Sequence, residues 1–212
     1  MIATTRYELA LLLHSQRYLP ALIAFLGTLA VLYTSPGAPV LPEFAISAGA
    51  LVVVTTWLTI ALADAEDPVQ RLITVSRAGG PLVALGGLVL AVLTCAVALT
   101  AVSLLWAALV HGGIATAELG WGALAHLVAA CTGAAIGLPC SRLVVPRVGY
   151  TVIAALLALA VVLLVRWVPL VNPMLRALAG DTAPGTLALV SAALSVGALA
   201  VSGIATVVAG RR

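Results

Sequence analysis

The sequence predicts an all-α integral membrane protein that forms one transmembrane domain with six spans. Hydrophobic residues make up 63% of the chain and charged residues 8%, whereas a soluble domain carries roughly 25% charged residues. Six apolar segments approach or exceed the length of about 20 residues that crosses the hydrocarbon core of a bilayer. Almost all charged residues lie in the breaks between these segments, which supports the same fold class.

The six predicted spans are separated by well-marked breaks. A turn rich in proline and glycine (35–44) follows the first span, and a glycine-rich break (111–122) follows the third. The third span is too long for a straight crossing, so we expect it to tilt or to extend into water. In chain order the predicted spans are 19–34, 44–63, 81–110, 122–140, 149–166 and 185–208.

The arginines predict the orientation of the chain. An even number of spans places both termini on one side of the membrane. If that side is the cytoplasm, only Arg166 and Arg176 lie outside, and this asymmetry follows the positive-inside rule. The sequence therefore predicts a multi-pass protein of the inner (plasma) membrane with cytoplasmic N- and C-termini. The arginines expected on the cytoplasmic side are Arg6, Arg17, Arg71, Arg77, Arg142, Arg147, Arg211 and Arg212.

Residues 4–18 predict an amphipathic helix ahead of the first span. Thr5 and Glu8 have the spacing of a capping box, and Pro20 marks the start of the span. We expect an interfacial helix that lies along the inner leaflet, and the alternative is an early start of the first span. The polar residues assigned to this helix are Arg6, Tyr7, Glu8 and Arg17.

The break "LADAEDPVQRLITVSRAGGP" (62–81) predicts a short cytoplasmic helix over 67–78. Asp67 is suited to the N-cap and Pro68 to the first helical position, and Gly79 is suited to end the helix. A surface helix that binds only anionic lipid normally carries mostly basic residues, whereas this one begins with an acidic cluster. Docking on a protein partner is therefore favoured, and the alternative is a solvated helix on the membrane surface. The helical face that recurs along it contains Val69, Leu72, Ile73 and Ser76.

The break 167–184 predicts a second helical insert, on the outer side. Asn172 can cap a two-turn helix, Pro173 can start it and Gly180 can end it. We expect re-entrant or interfacial helices here, and the alternative is an ordinary extracellular loop.

Several classes of site are excluded by what the sequence lacks. The chain has no lysine, so it cannot form the GxxxxGK[ST] loop that binds nucleotide phosphates, and any ATP-driven work needs another chain. HExxH and GxSxG motifs are absent, and there is no basic patch for nucleic acid. Cys95, Cys131 and Cys140 have no pairing or metal spacing, so we expect apolar packing residues. The sequence predicts no catalytic residue and no metal site.

The predicted spans contain few polar groups that could carry a proton or an ion. All seven carboxylates lie in loops or near span ends, and His126 is the only ionisable side chain within a span, near its outer end. Coupled transporters need titratable groups in mid-membrane, so this class is disfavoured and we expect His126 to be a hydrogen-bonded packing residue. Gly133 and Gly137 form a GxxxG pair that allows close helix approach, either within one bundle or between two chains. A stripe of small residues in the last span has the same two interpretations: Ser191, Ser195, Ala198, Ser202 and Ala205.

The order of these parts resembles the permease subunit of type-2 ATP-binding-cassette (ABC) exporters, in its small bacterial six-span form. This group includes bacterial drug and polysaccharide exporters. The loop "DAEDPVQRLITVSRAGG" is similar to the coupling segment of small actinobacterial-type permeases in that group. The resemblance covers the whole chain in architecture, whereas its sequence motif is confined to this loop.

The resemblance implies a function and a set of partners. The family works as two permeases with two ATP-binding subunits, so we expect an ABC ATPase subunit, a second permease in a homo- or heterodimer, and surrounding lipid. ATP and Mg²⁺ would bind in the ATPase, and this chain would hold no cofactor. Residues 5–18 would be the connecting helix and residues 172–180 the external re-entrant helix. The residues implied to face the ATPase on the coupling helix are Asp64, Glu66, Asp67, Gln70 and Arg71.

The expected cargo is an amphipathic or lipid-like compound, such as a drug, a peptide or a natural product, moved outward through a cavity lined by small and apolar side chains. Two alternatives stay open. One is the membrane subunit of a haem exporter, which has a similar length and span number. The other is a membrane scaffold or immunity protein that transports nothing.

Overall fold

The computed structural model describes residues 1–145 and 147–210, apart from the side chain of Pro68. These residues form nine α-helices and no strand. Arg211 and Arg212, which were predicted to be cytoplasmic, lie outside the described residues. The helices are α1 (Ile2–Ser15), α2 (Leu19–Leu32), α3 (Val40–Ala63), α4 (Pro68–Ala78), α5 (Pro81–His111), α6 (Thr116–Gly137), α7 (Val148–Leu164), α8 (Asn172–Ala179) and α9 (Thr186–Ala209).

Four helices of the described chain, α3, α5, α6 and α9, are long and apolar enough to cross a membrane. The fold is therefore that of an α-helical membrane protein, as the composition predicted. The predicted spans 19–34 and 149–166 correspond to α2 and α7, which have 14 and 17 residues. Helix α2 reaches spanning length only together with α1, as a pair bent by 83°. The count of six spans stays a prediction.

The N-terminal helix α1 begins two residues before its predicted range, 4–18, and ends three residues before the end of that range. It ends at Ser15 because Gln16 adopts a left-handed conformation, with φ of 54°. The capping box predicted from Thr5 and Glu8 is wrong. The helix begins after Met1, the Thr5 hydroxyl donates to the Met1 carbonyl oxygen at 3.0 Å, and the Glu8 side chain is buried. Burial removes the carboxylate from the solvent side, where a reciprocal cap would lie.

Helices α3 and α6 pack closely because α6 carries glycine where the two backbones meet. A Cβ built at Gly137 would lie 2.5 Å from Thr59 Cβ, and one built at Gly133 would lie 2.5 Å from the Val52 carbonyl oxygen. The Thr56 hydroxyl donates across the same interface to the Gly133 carbonyl oxygen at 3.1 Å. The GxxxG pair therefore serves packing within this chain, as in other close helix pairs of membrane proteins.

Part of the small-residue stripe of α9 packs inside the chain: Ser191 and Ser195 are buried, whereas Ala205 is exposed. Ser195 Oγ is 3.0 Å from Thr132 Oγ1, and the Ser202 hydroxyl donates to the Ala135 carbonyl oxygen at 2.7 Å. These contacts fix α9 on one side of α6. The opposite side of α9 is apolar and exposed, with Val190, Val201 and Ile204 among its side chains.

The predicted second insert forms α8, which packs against α3. Met174 and Leu178 are fully buried, and Leu175 lies 3.8 Å from a Cβ built at Gly49. Asn172 does not cap the helix as predicted, because Val171 occupies that position. Its amide nitrogen donates instead to the Leu163 carbonyl oxygen at 2.6 Å, the end of α7. The side chain thus ties α8 to α7.

We expect the substitution Gly133→Ala to destabilise the bundle. The added methyl group would collide with Thr55 Oγ1 and the Val52 carbonyl oxygen, so α3 and α6 would have to separate. Overpacking of this kind costs about 1–3 kcal/mol, and a fall of roughly 5 °C in the unfolding temperature in detergent should be measured. The control is Gly197→Ala in α9, where a Cβ meets nothing within 4 Å and alanine favours the helix. Equal effects of the two changes would contradict the close approach.

Candidate functional site

The candidate site is the short helix α4 with the ends of the helices around it. Asp67 caps α4 as predicted, because its Oδ1 accepts from the backbone N–H groups of Val69 at 2.8 Å and Gln70 at 2.9 Å. Gly79 ends the helix in a left-handed conformation, with φ of 87°, which only glycine adopts without strain. The helix runs over 68–78, within one residue of its predicted range, and α5 begins at Pro81 directly after it.

The polar side of α4 faces the protein. The Thr74 hydroxyl donates to Glu66 Oε1 at 2.6 Å, and Glu66 is buried. The Gln70 amide donates to the Tyr7 hydroxyl at 2.7 Å, which joins α4 to α1. Burial, followed by the contact with Glu66, raises the pKa of Tyr7. Two of the predicted partner-facing side chains, Glu66 and Gln70, are thus engaged within the chain.

Arg71 is the third inward-facing residue of this group, and it is half-buried. Burial lowers the pKa of its guanidinium, and the negative charges of Glu66, Glu8 and Asp64 oppose that effect. The side chain lines a cavity of about 570 Å³ between α4, α5 and the end of α9. Asp64, Glu66 and Arg142 line the same cavity, so both signs of charge face it.

Asp64 ties the end of α3 to two other parts of the chain. Its Oδ1 accepts from the Arg142 backbone N–H at 2.8 Å, and its backbone carbonyl oxygen accepts from Arg17 Nη1 at 2.9 Å. The Trp57 indole then donates to the Arg17 carbonyl oxygen at 3.0 Å. Burial raises the pKa of Asp64, and the Arg142 N–H acts in the opposite direction. Asp64 therefore fixes the junction from which α4 leaves the bundle.

Glu8 lies underneath α4, where only 3% of the residue is exposed. Burial is the largest cause that raises the pKa of its carboxyl group to about 7. The charge of Glu66 raises the pKa further, and the charge of Arg71 lowers it. Of the other residues assigned to the N-terminal helix, Arg6 and Arg17 are exposed and Tyr7 contacts α4. Arg6 and Arg17 thus face solvent, whereas Tyr7 and Glu8 lie against α4.

The outward side of α4 is apolar. The exposed fractions of Val69, Leu72 and Ile73 are 68%, 71% and 54%. Ser76 and Arg77 are exposed on the same helix, and Asp67 is exposed at its start. The predicted recurrence of apolar residues along one face is confirmed, but that face points away from the protein. We call Val69, Leu72 and Ile73 the outer face of α4.

Sequence reasoning missed a group of polar side chains at the other end of the bundle. His111 Nε2 lies 3.4 Å from Glu43 Oε2, and both side chains are buried. One turn deeper, the Tyr33 hydroxyl donates to Ser47 Oγ at 3.1 Å, and Ser47 Oγ lies 3.2 Å from His126 Nε2. His126 is fully buried and hydrogen-bonded, as expected. The available signal was the four-residue spacing of Glu43 and Ser47 along one helix face.

Within the described residues, no group of three histidine, cysteine or acidic side chains could hold a metal ion, and the three cysteines are free thiols that are buried or half-buried. No protein-family model, curated protein or solved structure matches the chain. The interpretation of the site therefore depends on its own geometry, which offers a rigid helix with a polar inner side and an apolar outer face.

The pKa of Glu8 predicts that stability depends on pH. Because the folded value of about 7 exceeds the ordinary value of 4.5, the unfolded chain releases a proton that the folded chain keeps. The stabilisation is complete below about pH 4.5 and falls by roughly 3 kcal/mol as the pH rises through about 7. Glu8→Gln cannot ionise, so it should remove this fall when unfolding temperatures in detergent are measured across the same range.

The matched control for that measurement is Glu118→Gln, which removes a half-buried carboxylate in the first turn of α6. This variant should keep the wild-type fall. A Glu8→Gln curve that runs parallel to the wild-type curve at every pH would show that folding does not raise the pKa of Glu8.

Proposed function

We propose that this chain is the permease subunit of an ATP-driven exporter of the type-2 ABC class. In this proposal it crosses the inner membrane six times with both termini in the cytoplasm, and α4 is the coupling helix that docks on a separate ATPase subunit. The single observation that supports the proposal best is the exposed apolar outer face of α4 between two long apolar helices, α3 and α5.

The outer face of α4 favours a partner because its exposure is costly. Burying a Val, Leu or Ile side chain contributes about 1.5–3 kcal/mol, and three such side chains project from one short helix here. A short amphipathic helix that lays its apolar face into a groove is a recurrent mode of protein recognition. Asp67 and Arg77 are exposed at the two ends of α4 and would contact the rim of such a groove. Of the five residues that the resemblance assigns to the ATPase contact, Asp67 would contact the partner. The other four would hold α4 in place from within the chain: Asp64, Glu66, Gln70 and Arg71.

The contacts beneath α4 suit the transmission of force. Helix α4 is joined to α1 by the Gln70–Tyr7 hydrogen bond, and Asp64 joins the end of α3 to Arg142. Only two residues separate the end of α4 from the start of α5. A push on α4 would therefore move the ends of α1, α3 and α5 together. In the proposed cycle, ATP closes the ATPase dimer, and this movement opens the space between two permeases to the outside.

The proposed complex contains parts that this chain does not supply. The chain has no lysine, so ATP and Mg²⁺ would bind in the ATPase subunit, and this chain would have no catalytic residue. A second permease would cover exposed apolar surface such as that of α9. An amphipathic or lipid-like cargo fits an all-apolar wall of this kind. Helix α1, at 83° to α2, would lie along the inner leaflet.

The docking proposal is tested by the substitution Leu72→Asp. The full-length chain is purified with a tag from its native membrane, and Mg-ATP hydrolysis in the eluate is measured with and without vanadate. We expect hydrolysis to co-purify with the wild type and to fall at least tenfold with Leu72→Asp, because a carboxylate in the middle of an apolar contact costs more than about 1.4 kcal/mol.

The control is Ile2→Asp, which makes the same change at another exposed apolar position, 80% exposed in α1. It should retain the hydrolysis. Equal hydrolysis in the wild type and Leu72→Asp would mean that α4 lies on lipid or in water. A wild-type eluate without hydrolysis would favour the membrane scaffold.

A further inference from the structure

We propose that Glu43 and His111 form a proton-binding site that holds one proton between α3 and α5. The site lies at the end of the bundle opposite α4, because Glu43 is in the first turn of α3 and α4 follows the other end of that helix. A helix of this length separates the two ends by about 30 Å. The proposal does not depend on the transport function proposed above.

The geometry of the pair is unusual for two titratable side chains. His111 Nε2 and Glu43 Oε2 are 3.4 Å apart, and the side chains are 4% and 8% exposed. Within the described residues, neither of these two atoms has a hydrogen-bond partner. Buried polar atoms are almost always paired, and a proton held between these two would let them satisfy each other.

The hydrogen bond on the other ring nitrogen decides what the pair holds. His111 Nδ1 lies 3.0 Å from the Ala107 carbonyl oxygen, which can only accept, so Nδ1 carries a hydrogen. If Nε2 and the carboxylate both lacked a proton, two acceptors would face each other in a buried position. One proton satisfies both atoms, either as imidazolium with carboxylate or as imidazole with carboxylic acid. Because both forms contain the same number of protons, the pair binds one proton as a unit.

Among the residues that the structure describes, no other charged side chain forms a salt bridge with this pair. On α2, Tyr33 donates to Ser47. On α6, His126 Nδ1 lies 2.7 Å from the Gly122 carbonyl oxygen and its Nε2 lies beside Ser47, so both nitrogens are occupied by neutral partners. On α8, Arg176 donates to Asn172 at 2.7 Å. Glu118, in the first turn of α6, is itself a carboxylate and cannot compensate Glu43, so the shared proton does.

Loss of the proton would change how α3 and α5 pack. A buried carboxylate that faces an imidazole lone pair is unfavourable, so the two helix ends must separate or admit water. The closed contact is thus present while the proton is bound and is lost as the pH rises through the titration of the pair. Acidity on this side of the membrane would hold the ends of α3 and α5 together.

The test uses the full-length chain in detergent with ¹⁵N-labelled histidine. The chain contains three histidines, so three pairs of ring signals are resolved, and His111→Gln assigns one pair. The Nδ1 signal of His111 should report a bound hydrogen, because Nδ1 faces the Ala107 carbonyl oxygen. In Glu43→Gln the amide N–H can donate to the Nε2 lone pair without a shared proton, so a difference between the Nε2 signals of the wild type and this variant at acidic pH would place the shared proton on the ring.

Thermal unfolding of the same proteins provides a second readout. The wild type should lose roughly 5 °C relative to Glu43→Gln between about pH 6 and about pH 9, because only the wild type has a proton to lose at this contact. Glu118→Gln, which removes another carboxylate at the same end, should show the wild-type loss. Parallel unfolding curves for the wild type and Glu43→Gln would overturn the proposal, whereas diverging curves with identical Nε2 signals would support it with the shared proton on Glu43.

Discussion

The structure depends on the packing of α3 against α6, because lipid offers no hydrogen-bond partners to a spanning helix. Every polar side chain along α3 must find its partner inside the bundle. Thr55 and Thr59 donate to carbonyl oxygens one turn earlier in α3, at 2.7 Å each. Gly133 and Gly137 leave the room that these hydroxyls occupy. The absence of side chains at Gly133 and Gly137 therefore both lets the two helices approach closely and leaves space for the hydrogen-bonded threonine hydroxyls of α3.

This packing makes α3 the element that relates the two ends of the molecule. A carboxylate lies near each end of the helix, Glu43 against His111 and Asp64 against the Arg142 N–H. Because the middle of α3 is held by α6, the two ends cannot shift independently along the helix axis. A displacement of α3 at its junction with α4 would therefore also change its contact with α5 at the other end of the helix.

The sequence predicted best what local signals control. Helix α4 was predicted within one residue because Asp67, Pro68 and Gly79 act on their own backbone. The direction in which α4 faces could not be predicted, since it follows from the burial of Glu8 and the hydrogen bond from Gln70 to Tyr7. Both features depend on α1 and α4, which are far apart in the chain, coming together in the fold. The Glu43–His111 pair was missed for the same reason.

The polar side of α4 explains why its apolar face is turned outward. A short helix has one polar and one apolar side, and hydropathy alone would place the apolar side on the protein. Here Glu66, Gln70 and Thr74 are satisfied within the chain, and the raised pKa of Glu8 reduces the negative charge beneath them at neutral pH. Directional hydrogen bonds between neutral and charged groups fix the rotation of a helix more strictly than apolar contact, which is non-directional. The inner side therefore sets the orientation, and the outer face is presented rigidly to whatever lies beyond it, which is the property that a docking helix requires.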